Sequence, residues 1–208
     1  MKILICDDHK IVRDGLKQIL QHLEGMNTFM EAGDGNEALA LLKKDAYDIV
    51  LLDISLPGRS GLEILQSIKS LYPLTNVLML SMHPEEQYAI RAIKLGASAY
   101  LTKDTASEEL ILAIRKVSEG GRYISQSLAE NFAQFIDKDS QKQKHDLLSS
   151  REFEIMIKIA NGKSLLEIAN ELFISNKTVS TYRSRIMEKM ELSKNTELTR
   201  YCLENELI

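Results

Sequence analysis

Short apolar runs alternate with longer amphipathic segments between residue 2 and about residue 118. Five runs have the length of a strand, and the apolar positions between them recur near every 3.6 residues, which predicts helices. The runs are KILIC (2–6), NTFMEA (27–32), DIVLLD (48–53), NVLMLS (76–81) and SAYLTK (98–103). Strands that are apolar on both faces are typical of a parallel sheet covered by helices on each side. The pattern therefore predicts an α/β fold with five parallel strands.

The pattern changes downstream of these repeats. Residues 123–136 have the spacing of one further helix, and residues 137–146 are polar and predict a flexible connector. Four helical patterns follow, SSREFEIMIKIAN, SLLEIANEL, NKTVSTYRSRIMEKM and NTELTRYCLENEL. Only Phe173, Ile174 and Ser175 separate the second pattern from the third, and two helices joined by so short a turn form the layout of a helix-turn-helix.

We therefore expect two domains and a linker. The α/β domain is placed at residues 1–120, a linker containing a helix at 121–146, and a small all-α domain at 147–208, with its helix-turn-helix at about 163–186. No apolar run is long enough to span a membrane, and the N-terminal MKILICDDHK becomes acidic too early for a signal peptide. We expect a cytoplasmic protein with no membrane partner.

Charged and hydroxyl side chains follow four of the predicted strands. The first strand ends at Asp7 and Asp8, the third at Asp53, the fourth at Ser81 and the fifth at Lys103. Ligand sites in an open parallel sheet lie outside the carboxyl ends of the strands, so these side chains are expected to converge. Three carboxylates within a few ångströms repel by roughly 3–4 kcal/mol per pair at an effective dielectric constant near 20. Such a pocket suits a hard divalent cation with oxygen ligands, and we expect Mg²⁺.

Asp53 is the candidate nucleophile of this pocket. With a cation and the Lys103 ammonium to neutralise phosphoryl oxygens, its carboxylate could attack phosphorus and form an aspartyl phosphate. Ser81 could then donate a hydrogen bond to one phosphoryl oxygen while Lys103 pairs with another. Each residue also has an ordinary alternative. Asp7 and Asp8 could cap the next helix; Asp53 could be a turn residue and Lys103 a solvated surface lysine.

The third helical pattern has a local excess of positive charge, although the whole chain has a net charge of −4. A buried stripe is predicted at Val179, Tyr182, Ile186 and Met190, which recur at spacings of three and four. Ser175 is the expected N-cap of this helix. The residues away from the stripe or at its edges are small, polar or basic and suit the major groove of DNA: Thr178, Ser180, Thr181, Arg183, Ser184 and Arg185. The start of the helix, with Lys177 beside it, suits a phosphate. A basic face that contacts only water is the alternative interpretation.

These patterns together carry a family resemblance. Residues 2–118 resemble a response-regulator receiver domain with the flavodoxin-like fold, on the aspartates, serine and lysine named above. Residues 147–208, with LSSRE and SLLEIANELFIS before the basic helix, resemble the NarL/LuxR-type DNA-binding domain. The stretch SMHPEEQYAIRAIKLGASAYLTKD is especially close to the NarL type, and it puts Tyr100 at the position of the family's switching aromatic residue.

The resemblance implies a role for each residue of the pocket. Asp53 would accept a phosphoryl group from a cognate sensor histidine kinase. Asp8, Asp53 and the backbone carbonyl of Ser55 would bind Mg²⁺ directly, and Asp7 would hold the metal through water. The chain would not be an enzyme in the usual sense, beyond Mg²⁺-dependent self-phosphorylation and slow autodephosphorylation.

The resemblance also implies a switch. Burial of Tyr100 would follow movement of Ser81, and the surface around residues 85–118 would transmit the change. The protein would be a DNA-binding transcriptional response regulator of a two-component system, in which phosphorylation controls homodimer formation and promoter binding. A dimer contact is expected on the last helical pattern, at Leu198, Tyr201, Cys202 and Leu207.

The chain departs from the family pattern at two places, and two other interpretations remain. Ser180 and Tyr182 stand where the family often has a basic residue and a histidine, and residues 165–166 are Leu-Leu where it often has Asn-Lys, so the preferred DNA sequence can differ. A magnesium-dependent phosphohydrolase would also use an aspartyl nucleophile, but Ser55 stands where its general acid is expected, two residues beyond Asp53. A regulator with a vestigial receiver is disfavoured by the intact pocket.

Overall fold

The computed structural model of the chain describes residues 1–23, 25, 28–105, 107–130 and 143–208. The chain divides into two compact units, Met1–Ala129 and Glu130–Ile208. Most of the predicted connector, residues 137–142, lies outside the described residues.

Five parallel strands form the sheet of the N-terminal unit, in the order β2-β1-β3-β4-β5. The strands are β1 (Lys2–Cys6), β2 (Thr28–Ala32), β3 (Ile49–Asp53), β4 (Asn76–Ser81) and β5 (Ala99–Thr102). The helices are α1 (Lys10–Leu20), α2 (Gly35–Lys44), α3 (Gly61–Leu71), α4 (Glu85–Lys94) and α5 (Ser107–Ser118). The predicted α/β fold with a five-stranded parallel sheet is confirmed, and β1 lies next to β3.

The central strands are apolar on both faces, as predicted. Every residue of β3 is buried, and Asp53 at its end pairs in register with Leu80 of β4. The prediction is wrong for β2, whose residues alternate between exposed and half-buried positions up to the buried Ala32. Because β2 is an edge strand, it has a neighbouring strand on one side only, and it is less well covered than β1 and β3.

One helix layer anchors the sheet on the side of α1 and α5. Leu16 and Leu20 of α1 and Leu110 and Ile114 of α5 belong to one buried cluster that includes alternate residues of the strands. Burial of these apolar side chains stabilises the unit and fixes the positions of the strand ends.

Local sequence determines where α3 begins and α4 ends. Ser60 Oγ accepts a hydrogen bond from Glu63 N at 3.3 Å, and Ser60 N donates to Glu63 Oε2 at 3.1 Å, which is a capping box. Gly96 ends α4, as predicted, with a φ of 100° that residues with a side chain rarely adopt. This conformation lets Ala97 N donate to Ala92 O at 3.0 Å.

The C-terminal unit is helical. A 3-10 helix (Lys144–Leu147) precedes α6 (Ser150–Ala160), α7 (Leu165–Glu171), α8 (Asn176–Met190) and α9 (Asn195–Glu204). α6 contacts the other three α-helices of the unit and is buried along its whole length. The helices α6, α7 and α8 each begin at a serine whose Oγ accepts a hydrogen bond from a backbone N–H three residues later, at Ser149, Ser164 and Ser175. The four predicted helices and the predicted N-cap Ser175 are confirmed.

The start of the predicted linker is also described. Residues 126–130 are helical, within the helix predicted over 123–136, and the remainder of that prediction lies outside the described residues. In the part of the chain that the structure describes, no helix has both the length and the apolar character to cross a membrane.

Candidate functional site

Three strand ends of the N-terminal unit meet around one ammonium group. Lys103 follows β5, and its Nζ lies 2.6 Å from Asp7 Oδ2 and 2.8 Å from Asp53 Oδ2. Both aspartates are almost wholly buried, and the Lys103 side chain is only 9% exposed. Among the described residues, neither Oδ2 atom has a hydrogen-bond donor apart from this ammonium. The structure thus brings together three of the residues that the sequence singles out.

Burial and charge act in opposite directions on these groups. Loss of hydration raises the pKa of Asp53; the charge and hydrogen bond of Lys103 offset this only in part, and the charge of Asp7 adds to the rise. Burial lowers the pKa of Lys103, but pairing with Asp53 and Asp7 outweighs this effect and leaves the pKa of the ammonium raised. Lys103 is therefore charged at neutral pH, and Asp53 is more basic than an exposed aspartate.

Asp8 and His9 extend the cluster towards solvent. His9 Nδ1 lies 2.8 Å from Asp8 Oδ1 and 3.5 Å from Asp7 Oδ1, so these residues offer ligand atoms within 4.8 Å of one another. Among the described residues, this group does not include Asp53. The helix-cap alternative for the two aspartates is not supported, because His9 holds the N-cap position of α1 and Asp7 Oδ1 accepts a hydrogen bond from His9 N at 2.8 Å.

The donor set fits a magnesium ion in its chemistry. Asp7, Asp8 and Asp53 offer carboxylate oxygens, which are the hard ligands that Mg²⁺ prefers. Ser55 lies two residues beyond Asp53, the last residue of β3, and its N–H donates to Asp53 Oδ1 at 3.2 Å. The Lys103 ammonium contacts two carboxylates, and Asp8 offers a third within 4.8 Å of a ligand atom of Asp7, so these groups have an excess of negative charge that a divalent cation would offset.

Ser81 and Tyr100 lie on β4 and β5 and contact the loop after β4. Ser81 Oγ accepts a hydrogen bond from His83 N at 2.9 Å, and Tyr100 OH donates to His83 O at 3.0 Å and to Pro84 O at 3.5 Å. Both side chains are fully buried. Tyr100 is therefore buried while Ser81 is bonded to the loop, and the expected coupling between burial of Tyr100 and movement of Ser81 stays a prediction.

Two residues that the sequence patterns do not single out form part of the pocket wall. A Cβ at Gly61 would lie 1.9 Å from the carbonyl oxygen of Asp53, so only glycine fits at the start of α3. His83 Nε2 lies 3.5 Å from Ser55 Oγ. The pair Ser60-Gly61 marks a helix start in the sequence, but the close approach to Asp53 depends on how α3 packs against β3.

The predicted DNA-binding residues lie on α8 of the C-terminal unit. Six of the seven are exposed, namely Lys177, Thr178, Ser180, Thr181, Ser184 and Arg185. Two shallow depressions flank them, one lined by Ser175, Tyr182 and Arg185 and the other by Leu165 and Asn176. The six exposed side chains carry either a small hydroxyl or a basic group, and the major groove is wide enough to admit an α-helix.

Arg183 and Tyr182 differ from the prediction. Arg183 is half-buried, and its Nε donates to Asn195 Oδ1 at 2.8 Å, so part of the guanidinium holds the start of α9. Tyr182 is only half-buried, whereas Met187 is buried and belongs to the core stripe. An α-helix turns once in about 3.6 residues, so two adjacent positions can both face the core. In α8 these positions are Ile186 and Met187, which a pattern of spacings of three and four does not include together.

Two family models match the chain. Residues 3–115 match the response regulator receiver domain, and residues 146–202 match the bacterial regulatory proteins of the luxR family. The chain belongs to the LuxR-type response regulators. A response regulator of this type consists of a receiver and a LuxR-type DNA-binding domain, and the family regulates transcription and is not one of conventional enzymes.

Relatives match this response regulator over its full length. It is 37% identical to the oxygen regulatory protein NreC of Staphylococcus epidermidis over 216 residues, which cover 100% of this chain and 99% of NreC. It is 34% identical to the response regulator UvrY of Escherichia coli K12, with 100% of this chain and 95% of UvrY covered. The structure of the RcsB–DNA complex is similar with a TM-score of 0.61 and 25% identity, over 99% of this chain and 98% of RcsB.

The dimer contact predicted on α9 is not an exposed surface of this response regulator. Leu198, Cys202 and Leu207 are buried within the chain. The Tyr201 hydroxyl lies 3.0 Å from Nδ1 of the buried His145, which precedes α6. The three buried residues hold α9 and the chain end after it in place, and of the four only the half-buried Tyr201 presents surface to a partner.

Proposed function

We propose that phosphorylation of Asp53 switches promoter binding by this response regulator. A cognate sensor histidine kinase donates the phosphoryl group in a Mg²⁺-dependent reaction, and Asp7, Asp8, Asp53 and the Ser55 carbonyl hold the metal. Receiver domains generally use Mg²⁺ at such an acidic pocket. The observation that carries the proposal is the Lys103 ammonium in contact with two buried carboxylates at the carboxyl edge of the sheet.

The pocket residues divide the chemistry between them. An oxygen of Asp53 forms a bond to phosphorus as the bond between phosphorus and the donor atom breaks. Lys103, 2.8 Å from Asp53 Oδ2, pairs with a phosphoryl oxygen added at this position. Ser81 Oγ accepts a hydrogen bond from His83 N, so its own proton can be donated to a phosphoryl oxygen. Bound Mg²⁺ supplies further neutralisation of the transferred charge.

The C-terminal domain reads DNA through α8. Lys177 and Arg185 contact phosphates, and the hydroxyls of Ser180, Thr181 and Ser184 reach base edges in the major groove. Phosphorylation favours a homodimer, in which two α8 helices meet half-sites about 34–36 Å apart. RcsB in complex with DNA supports this assignment through the shared fold.

The remaining assignments follow from this function. We assign residues 1–120 to the receiver, 121–146 to the linker and 147–208 to the DNA-binding domain. Self-phosphorylation and slow autodephosphorylation are the only reactions proposed for the chain. We also propose that the chain acts in the cytoplasm, where the promoter DNA of bacterial regulatory proteins lies.

Incorporation of phosphate from radiolabelled acetyl phosphate tests the proposal. The wild-type chain is expected to take up label only with Mg²⁺, and Asp53→Asn is expected to take up none, because an amide oxygen cannot form the acyl phosphate. Asp48→Asn is the matched control, since Asp48 is an exposed aspartate just before the opposite end of β3. Equal labelling of Asp53→Asn and wild type would refute the assignment of Asp53.

A further inference from the structure

The start of the linker is fastened to the receiver. Tyr123 N donates to Ser98 O, just before β5, at 3.0 Å, and Tyr123 OH donates to Glu109 Oε1 of α5 at 2.8 Å. Burial, the bond to Glu109 and nearby acidic charge raise the pKa of Tyr123 to about 12, so the phenol remains a donor at neutral pH. We call residues 123–128 the strap.

A single carboxylate holds the next turn of the strap. Ser125 and Ser127 both donate their hydroxyls to Glu85 Oε2, each at 2.7 Å, and Glu85 is the first residue of α4. Ser125 Oγ also accepts a hydrogen bond from Leu128 N at 3.1 Å, so Ser125 caps the helix that begins at residue 126. The residue that caps the linker helix is therefore the one that Glu85 holds, through hydrogen bonds strengthened by the carboxylate charge.

We call the two hydrogen bonds from Ser125 and Ser127 to Glu85 the clamp, and hydrogen bonds connect the receiver pocket to the residues just before Glu85. Ser81 Oγ accepts from His83 N, and the carbonyls of His83 and Pro84 both accept from Tyr100 OH. Glu85 is the next residue along the chain. A change in the Ser81 hydrogen bond therefore acts on the loop of residues 82–84, and the next residue, Glu85, holds the strap.

We propose that Glu85 and the strap couple the receiver pocket to the linker, and that rearrangement of residues 81–85 releases Ser125 and Ser127 and uncaps the linker helix. This inference rests on the proposed function and adds the route by which the pocket reaches the C-terminal domain. The docked and released strap are the two discrete states that such coupling requires.

Hydrogen exchange of the amides at residues 124–130 tests the clamp in the full-length chain without phosphorylation. Glu85→Ala removes the acceptor of both serine hydroxyls, and we expect these amides to exchange about tenfold faster or more, because two charge-assisted hydrogen bonds are lost. Ser127→Ala removes one donor without removing the cap, and Glu85→Gln keeps an acceptor oxygen, so both should show smaller increases. Ser118→Ala, at an exposed serine bonded only to its own helix in the described structure, should exchange as the wild type does.

The second measurement is the gain in DNA affinity on addition of beryllofluoride and Mg²⁺. We expect Glu85→Ala to reduce the wild-type gain by about fivefold or more, the lower end of typical coupling, while uptake of phosphate at Asp53 stays unchanged. Unchanged exchange in Glu85→Ala would overturn the clamp. Faster exchange with an undiminished gain would overturn its role in coupling. Failure of the wild type to take up phosphate would instead refute the proposed function, and the exchange measurement would still decide whether the clamp exists.

Discussion

At the scale of single residues, Lys103 determines the charge balance of the receiver pocket. At 2.6 and 2.8 Å its ammonium attracts each of Asp7 and Asp53 by on the order of 6 kcal/mol at an effective dielectric constant near 20. Desolvation of each buried ion costs several kcal/mol, so the attraction offsets this cost without a large surplus. Asp53 consequently keeps a raised pKa, which suits a carboxylate that attacks phosphorus.

Gly61 lies so close to the backbone of Asp53 that a side chain there is expected to be harmful. A Cβ at this position would meet the backbone of Asp53 and Ile54, and backbone cannot move aside as a flexible side chain can. We expect Gly61→Ala to lower the free energy of unfolding of the receiver by about 1–3 kcal/mol, as overpacking does, and to slow phosphorylation.

Gly15→Ala is the control for this prediction. A Cβ at Gly15 meets no atom within 4 Å, so the substitution in α1 should be neutral or stabilise the receiver by about 0.5–1 kcal/mol. Chemical denaturation and acetyl phosphate labelling measure both effects. Wild-type behaviour of Gly61→Ala in both assays would contradict the close approach of α3 to Asp53.

At the scale of elements, an ion pair between the exposed Lys189 and the buried Glu152 connects α8 to α6. Lys189 Nζ lies 2.6 Å from Glu152 Oε2, and this oxygen also accepts a hydrogen bond from Ser149 N at 2.7 Å. Burial raises the pKa of Glu152, but the bonds from Lys189 and Ser149 outweigh it, and the net shift is downward. The carboxylate thus stabilises the folded C-terminal domain when it is ionised.

Glu152→Gln is expected to lower the free energy of unfolding of the C-terminal domain by about 1–3 kcal/mol at pH 7, because a charged hydrogen-bond acceptor is lost. In the wild type this contribution is present above the ordinary glutamate pKa and is lost as the pH falls through the lowered pKa of Glu152. The difference between variant and wild type should therefore shrink below about pH 4.5.

Thermal unfolding of the full chain between pH 3 and 7 measures this effect. Glu191→Gln is the matched control, because Glu191 pairs with Lys144 on the exposed surface and should contribute less. A difference for Glu152→Gln that stays constant over the pH range would contradict the ion pair.

The two arginines of α8 are expected to have different roles, because Arg183 is bonded to Asn195 and Arg185 is not. Arg185 is exposed, and Arg185→Ala should lower the slope of log affinity against log salt by about 1, as for one phosphate contact. Arg183→Ala should change this slope less and stability more, because its Nε is bonded to Asn195. DNA titrations at several salt concentrations distinguish the two, and equal slope changes would contradict the assignment.

At the scale of the whole molecule, features with a local cause were predictable from the sequence. The five strands, the start of α8 and the glycine stop of α4 follow from apolar spacing, the Ser175 cap and Gly96. Features that depend on contacts between distant segments were not. The exposure of β2 depends on sheet order, the bond from Arg183 depends on α9, and the strap depends on Glu85, a residue 40 positions from Ser125. The pocket was predictable because a parallel sheet collects its strand ends at one edge.

The central claim is that phosphorylation of Asp53 controls DNA binding by the C-terminal domain. DNA fragments selected with the phosphorylated chain provide the ligand, and affinity at one fixed salt concentration is measured for wild type and Asp53→Asn, with and without acetyl phosphate and Mg²⁺. We expect wild-type affinity to rise by about fivefold or more on phosphorylation and Asp53→Asn to show no change. The claim would be contradicted by a wild-type chain that is phosphorylated in full and binds DNA no more tightly than before.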